Sequence, residues 1–247
     1  MKKKLIALLL CGAMVLAPSA AYASDSMSLE ELQEAYKELE KAYNKEIGEA
    51  DKKDSPKASK DTMTEHFEAD LSAGNYIAGK DIPVGTYNFT ATSGNGNVSS
   101  TNLYSGGINS IMGTPADDYT QETYNNVSLD DDVVLSLGGD VVLHIVSENA
   151  SLSTMQARVV PDDAQTIDLS SGNYTAGTDF PAGTYNVVAT AGNGNVSSDN
   201  LYDGGINEIM GTDGSAYTVQ SFNNVTLDDG VILTVANVSV QLVPVGE

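Results

Sequence analysis

Gly74-Asn-Tyr-Ile-Ala-Gly-Lys-Asp-Ile-Pro-Val-Gly-Thr-Tyr87 returns 98 residues later as Gly172-Asn-Tyr-Thr-Ala-Gly-Thr-Asp-Phe-Pro-Ala-Gly-Thr-Tyr185. Residues 71–129 match residues 169–227 without a gap, and 39 of those 59 positions are identical. Self-similarity this close means two copies of one small folding unit. It also tests candidate sites within the chain, since a residue needed by the shared fold or the shared function should occur in both copies.

The quoted stretch carries turn chemistry. Asp81-Ile-Pro-Val-Gly85 and Asp179-Phe-Pro-Ala-Gly183 place Pro to preset φ, with Gly two residues on, which predicts a tight turn. Beyond it, Tyr87, Phe89 and Ala91 alternate with polar residues, as do Tyr185, Val187 and Ala189. Val231, Leu233 and Val235 repeat the pattern, followed by Val238, Val240 and Leu242. Period two with β-branched and aromatic residues predicts half-buried strands. Asp228-Asp-Gly230 joins two strand patterns as a hairpin would. The first copy has Asp130-Asp-Asp132 there, so glycine is not required. Gly106 to Gly113 and Gly204 to Gly211 read as a helical turn or irregular strand with Ile and Met inward.

Many short strands at even spacing predict a mainly β fold of two tandem β-sandwich or jelly-roll-like domains, at 67–162 and 167–247. Val160-Pro161 and Val243-Pro244 align with a shorter shift, which predicts extra residues in the first copy, as an inserted hairpin at about 140–155.

The remainder is organised differently. Lys2 to Lys4, an apolar run and Ala21-Tyr-Ala23 predict a secretory signal over 1–23, cleaved before Ser24. The run is too short for a permanent transmembrane anchor. Free secretion is preferred to lipid anchoring at Cys11, because Leu10 stands where a lipoprotein signal needs a small residue. Ser28 and Glu31 form a capping box, and Leu29, Leu32, Tyr36, Leu39 and Tyr43 make one stripe. They predict a helix over 28–50, read as a docked helix or a loosely ordered stalk in preference to a coiled coil, with self-association through its stripe as the alternative. Residues 51–66, charged and without apolar period, read as a linker.

Charge and composition exclude several function classes. Net charge is −22, and −25 without the three signal lysines. No Lys, Arg or His follows Arg158, so the second copy cannot neutralise phosphate, and nucleic acid and anionic membranes are poor partners. Cys11 is the only cysteine, which leaves the mature chain without disulfide or thiol chemistry. His66 and His144 have no counterparts in the second copy, so a duplicated histidine metal site or triad is unsupported.

Carboxylates and amides remain. Asp130, Asp131, Asp228 and Asp229 recur, and pairs of acids serve glycosidases or give hard oxygen ligands to calcium. Their spacing matches no calcium loop, and turn capping is the preferred reading; calcium is the one cofactor left open. Gly94-Asn-Gly-Asn97 and Gly192-Asn-Gly-Asn195 lack the lysine and following helix of a phosphate cradle, and read as glycine-rich turns. Asn95, Asn97, Tyr104 and Asn109 recur as Asn193, Asn195, Tyr202 and Asn207. Tyr and Asn together present flat apolar faces with hydrogen-bonding capacity, suited to sugar or protein recognition.

The string Tyr-x-Ala-Gly-x-Asp-Ile/Phe-Pro-x-Gly-Thr-Tyr, with Gly-x-Gly-x-Val, Asn-Val-x-Leu-Asp-Asp and a closing Val-Pro, resembles small β modules of secreted proteins and lipoproteins of Gram-positive bacteria. The function of those modules is largely uncharacterised. Ala/Val-Gly-Thr-Tyr alone is loosely similar to accessory jelly-roll domains of secreted peptidases. Neither resemblance implies a catalytic residue. The sequence thus points to a secreted or cell-surface, non-enzymatic protein that binds a glycan or a protein. A spacer role in an envelope assembly is the alternative, and an acid-pair hydrolase the third reading.

Overall fold

The computed structural model describes residues 64–246 except 216 and 217. The expected signal (1–23) and helix (28–50) lie outside the described residues, as does nearly all of the expected linker (51–66). The described residues are mainly β: fourteen strands and one 3-10 turn at Leu152–Thr154.

The first repeat contains eight strands: β1 (Glu65–Leu71), β2 (Gly74–Ile77), β3 (Gly85–Ser93), β4 (Asn95–Ser100), β5 (Asn109–Gly113), β6 (Thr123–Leu129), β7 (Val134–Leu137) and β8 (Val142–Ala150). They form two sheets in the orders β1-β8-β3-β6 and β2-β7-β4-β5. The antiparallel pairs β1·β8, β2·β7, β3·β6 and β4·β5 are nested one inside the next. β1 begins within the expected linker, where its strand character had escaped the sequence reading.

The second repeat reaches the same arrangement with fewer breaks: β9 (Ile167–Leu169), β10 (Gly172–Thr175), β11 (Gly183–Ser198), β12 (Asn207–Gly211), β13 (Ser221–Leu227) and β14 (Ile232–Pro244). β11 corresponds to β3 and β4 run together, and β14 to β7 and β8. β14 pairs with β9 through Val240–Leu242 and with β10 through Ile232–Val235.

Alternation places the cores. Tyr87, Phe89, Val98, Leu135, Leu143 and Ile145 are buried in one repeat. Tyr185, Val187, Val196, Leu233, Val240 and Leu242 are buried at the corresponding positions of the other. In the glycine-flanked strands, Ile108 and Met112 are fully buried, and so are Ile206 and Met210.

Three local expectations are corrected. The segment around 140–155 holds one long strand, β8, rather than an inserted hairpin. Its Leu143 pairs with Ala91 as Val240 pairs with Ala189, so Val240–Pro244 corresponds to Leu143–Ser147, not to Val160-Pro161. The Asp130 and Asp228 turns are not hairpins either: β13 and β14 are not hydrogen-bonded neighbours, and the turn carries the chain from one sheet to the other. Asp132 (φ 63°) stands there where Gly230 (φ 86°) does, because Asp tolerates the left-handed region. Lastly, Gly94–Asn97 and Gly192–Asn195 are sheet-to-sheet bends rather than turns. Gly192–Asn195 lies inside β11, at a register irregularity against β14.

The two repeats share one compact unit, residues 62–247. β13 pairs in parallel with β2 at Asn223 and Gly74. A side chain on Gly74 would strike the Asn223 backbone, so this close approach requires glycine. Ala73 of the first repeat packs into the core of the second.

Candidate functional site: a cleft between the repeats

The structure sorts the recurring polar residues by what they touch. Asp81 Oδ2 accepts the Ile77 N–H at 2.8 Å, and Asp179 Oδ2 the Thr175 N–H at 2.7 Å. The Tyr87 and Tyr185 hydroxyls each donate to the carbonyl of the turn proline at 2.6 Å. Burial pushes the hydroxyl pKa of both tyrosines up. Asn102 and Asn200 Nδ2 donate to Ser128 and Thr226 carbonyls at 2.7 Å. Asn126 and Asn224, both at positive φ in strand bulges, have their N–H groups accepted by Asn88 and Asn186 Oδ1. These pairs serve the shared fold.

The carboxylates of Asp131 and Asp229 lie over Gly79 and Gly177, where any side chain would collide with them. Asp130, Asp131, Asp228 and Asp229 are all exposed turn residues. Among the described residues, no three His, Cys, Asp or Glu side chains are grouped to hold a metal ion. The histidines belong to strand faces: His144 Nδ1 lies 2.7 Å from Asp70 Oδ1, its cross-strand partner. His66 Nδ1 lies 3.0 Å from Glu148, whose charge and hydrogen bond raise its pKa.

What remains exposed is a recurring set of amides and apolar side chains. Asn97 pairs with Ile111 and Ser99 with Asn109, while Asn195 and Ile209 repeat the first pair. Tyr104 is 97 % exposed and Tyr202 91 %.

The fold gives these duplicated positions different surroundings. A cleft of about 740 Å³ opens between the β2-β7-β4 face of the first repeat and the 201–208 segment of the second. Asn97, Ser99 and Ser136 form one wall, and Tyr202, Asp203 and Asn207 the other. Of the expected ligand-binding residues, the cleft brings together Asn97, Tyr202 and Asn207. Asn95, Tyr104, Asn109, Asn193 and Asn195 lie outside it. Asn193 is engaged locally with Asp213 and the Thr212 N–H, and Asn195 with Asn207.

The floor is built by residues that sequence reading did not single out. Asn75 Nδ2 donates to the Gly204 and Gly205 carbonyls, both at 2.9 Å, while its Oδ1 accepts the Ser136 hydroxyl at 2.8 Å. Glu208 Oε1 accepts the Gly139 N–H across the junction at 3.2 Å, and burial raises its pKa. Asn223 Nδ2 donates to the Ala73 carbonyl, Ser72 Oγ and the Tyr76 hydroxyl. Arg158 spans the junction from the side. Its Nε and Nη2 donate to Asp81 at 2.7 and 3.1 Å, and Nη1 to Thr184 Oγ1 and the Gly246 carbonyl, both at 3.2 Å. The one sequence signal for this floor was asymmetry: Glu208 stands where the first copy has Ser110, and Gly138-Gly139 where the second has Ala236-Asn237.

The chain matches no protein-family model and no curated protein.

Proposed function

We propose that this is a secreted, non-catalytic binding protein that takes a neutral glycan in the cleft between its repeats. The observation that carries the reading is the cleft itself. It gathers Tyr202, Asn97, Asn207, Ser99 and Ser136 into a volume typical of small-ligand sites, about 300–1,000 Å³. A tyrosine face with amide and hydroxyl groups around it suits a sugar ring, which is apolar on its face and polar at its rim. Asp132, Asp203 and Glu208 also line the cleft, with no Lys, Arg or His, so its field repels anions and favours uncharged ligands. The signal pattern of residues 1–23 supports action outside the cell.

Each repeat is read as a jelly roll. Four nested antiparallel pairs, rolled into two four-stranded sheets of order 1-8-3-6 and 2-7-4-5, support it. Eight-stranded double-sheet rolls recur among lectin domains.

The test is calorimetric titration of the full chain with neutral β-linked hexose and N-acetylhexosamine oligomers. One of these series binds, and Tyr202→Ala and Asn97→Ala each weaken it about tenfold, near the 1.4 kcal/mol that a lost contact of this kind contributes. Tyr104→Ala, outside the cleft, leaves affinity unchanged. Binding that survives Tyr202→Ala intact, or no binding across both series, overturns the proposal.

A further inference from the structure

The contact that joins the two repeats has a donor half and a receiver half, and both recur, uncovered, at the outer ends of the described unit. The donor half in the second repeat is the edge strand β13 with Asn223 and the Gly204-Gly205 loop. In the first repeat the same half is β6 with Asn125 and Gly106-Gly107, identical at these three positions. The receiver half in the first repeat is β2 with Asn75, Ser72 and Tyr76. In the second it is β10 with Asn173, Ser170 and Tyr174, again identical.

Burial tracks occupancy. Asn75 and Gly205 are buried in the junction, while Asn173 is exposed and Gly107 only half-buried. β6 and β10 are sheet edges, whereas their counterparts β13 and β2 pair with each other. The free receiver is already set for docking: Asn173 Oδ1 accepts the Thr234 hydroxyl at 2.9 Å, as Asn75 Oδ1 accepts Ser136.

Two of the positions that differ compensate across the contact. Glu208 faces Gly138 inside the chain, and a side chain on Gly138 would collide with it. The free halves offer the shorter Ser110 against the larger Ala236. Glu208 accepts the Gly139 N–H, whereas the Asn237 N–H of the free receiver is already accepted by Ser171 Oγ at 3.0 Å. Three carboxylates at the internal junction, Asp132, Asp203 and Glu208, become Gly230, Ser105 and Ser110 at the free halves, while Asp199 stands where Thr101 lines the internal cleft. One carboxylate in place of three lessens like-charge repulsion in an acidic chain.

From this we infer that a second copy of the chain docks on the first head to tail, the 103–110 segment and β6 of one molecule seating on β10 and Asn173 of the next. Such a heterologous contact does not use up its own ends, so it propagates into linear chains rather than stopping at a dimer. An exposed strand edge is the surface that invites this addition. The contact lacks the Arg158 clamp and the covalent tether of the internal junction, so it forms at high protein concentration. The inference does not rest on what fills the cleft.

Sedimentation of the full chain over a concentration series shows mass rising past that of a dimer. Asn125→Asp blocks the donor half by facing a carboxylate with carbonyls, and Asn173→Asp blocks the receiver half. Each variant alone stays monomeric. Mixed one to one, they form a dimer and nothing larger, because each retains the half that the other lacks. Both sites are exposed, and unchanged melting of the monomers confirms intact folding; if Asn173→Asp melts early, Asn173→Ala, which removes the donor together with the acceptor for the Thr234 hydroxyl, takes its place. A wild type that stays monomeric to its solubility limit overturns the inference. So do variants that associate like wild type, or a mixture that stays monomeric where wild type associates.

Discussion

Tyr87 and Tyr185 show what recurrence means at the scale of one residue. Each ring is buried, and each hydroxyl donates to the carbonyl of the proline four residues earlier. That bond ties the turn to the first core position of the following strand. Replacing Tyr87 by Phe keeps the ring and removes the donor. Chemical denaturation of Tyr87→Phe shows a loss of about 0.5–1.5 kcal/mol, and Tyr185→Phe, in a less buried setting, a loss at the lower end of that range. The duplicated string thus announced the core, but the turn falls earlier than its Pro and Gly suggested, at Gly79–Asp81 and Gly177–Asp179, with Gly79 (φ 90°) and Gly177 (φ 79°) in the left-handed region and Gly85 and Gly183 already in the next strand. It could not tell a tyrosine that closes a turn from one that faces solvent, because two copies share the residues of the fold as fully as those of a site. Only the structure separates Tyr87, buried, from Tyr104, exposed.

At the scale of the element, glycine is where the sequence misled. Gly-Asn-Gly-Asn reads as a turn because its residues accept positive φ, and Gly94 (φ 64°) and Gly192 (φ 75°) do. The conformation serves a bend within a continuing strand, which a sequence cannot distinguish from a reversal without knowing the strand's neighbours. The second glycine of each motif has a different task. A methyl on Gly96 would overlap the Gly138 carbonyl oxygen, and one on Gly194 that of Ala236. Backbone carbonyls in a sheet have little room to retreat. Gly194→Ala is expected to cost about 3 kcal/mol or more, read as a lowered denaturant midpoint. Gly230→Ala meets nothing nearby and bears only the strain of its φ of 86°, so its loss is smaller.

At the scale of the whole molecule, the junction was the least legible part. Its two halves are recurring residues, but what makes them meet, Arg158, Glu208 and Gly138-Gly139, is not duplicated, and only Glu208 sat within a recurring motif, at a position where the copies differ. Glu208 gives the junction a pH signature. Its carboxyl is held above the ordinary Glu value by burial, only partly offset by the Gly139 N–H. Over the interval between the ordinary value and the raised one, the unfolded chain releases its proton first. Stability is therefore highest below the ordinary Glu value and falls as pH rises through the raised one. Gln keeps the acceptor oxygen without the charge. Melting curves of wild type and Glu208→Gln therefore separate as pH rises through that interval, with the variant the more stable.

Arg158 carries a last consequence. After Lys80 it is the only Lys or Arg in the chain, and its side chain is 9 % exposed in its pairing with Asp81. Trypsin cuts only after these two residue types, so beyond Lys80 this protease has a single internal target, and that target is locked in the seam. Cleavage there proceeds only as fast as the seam comes apart. The kinetics of one band appearing on a gel therefore report how often the two halves of this molecule breathe.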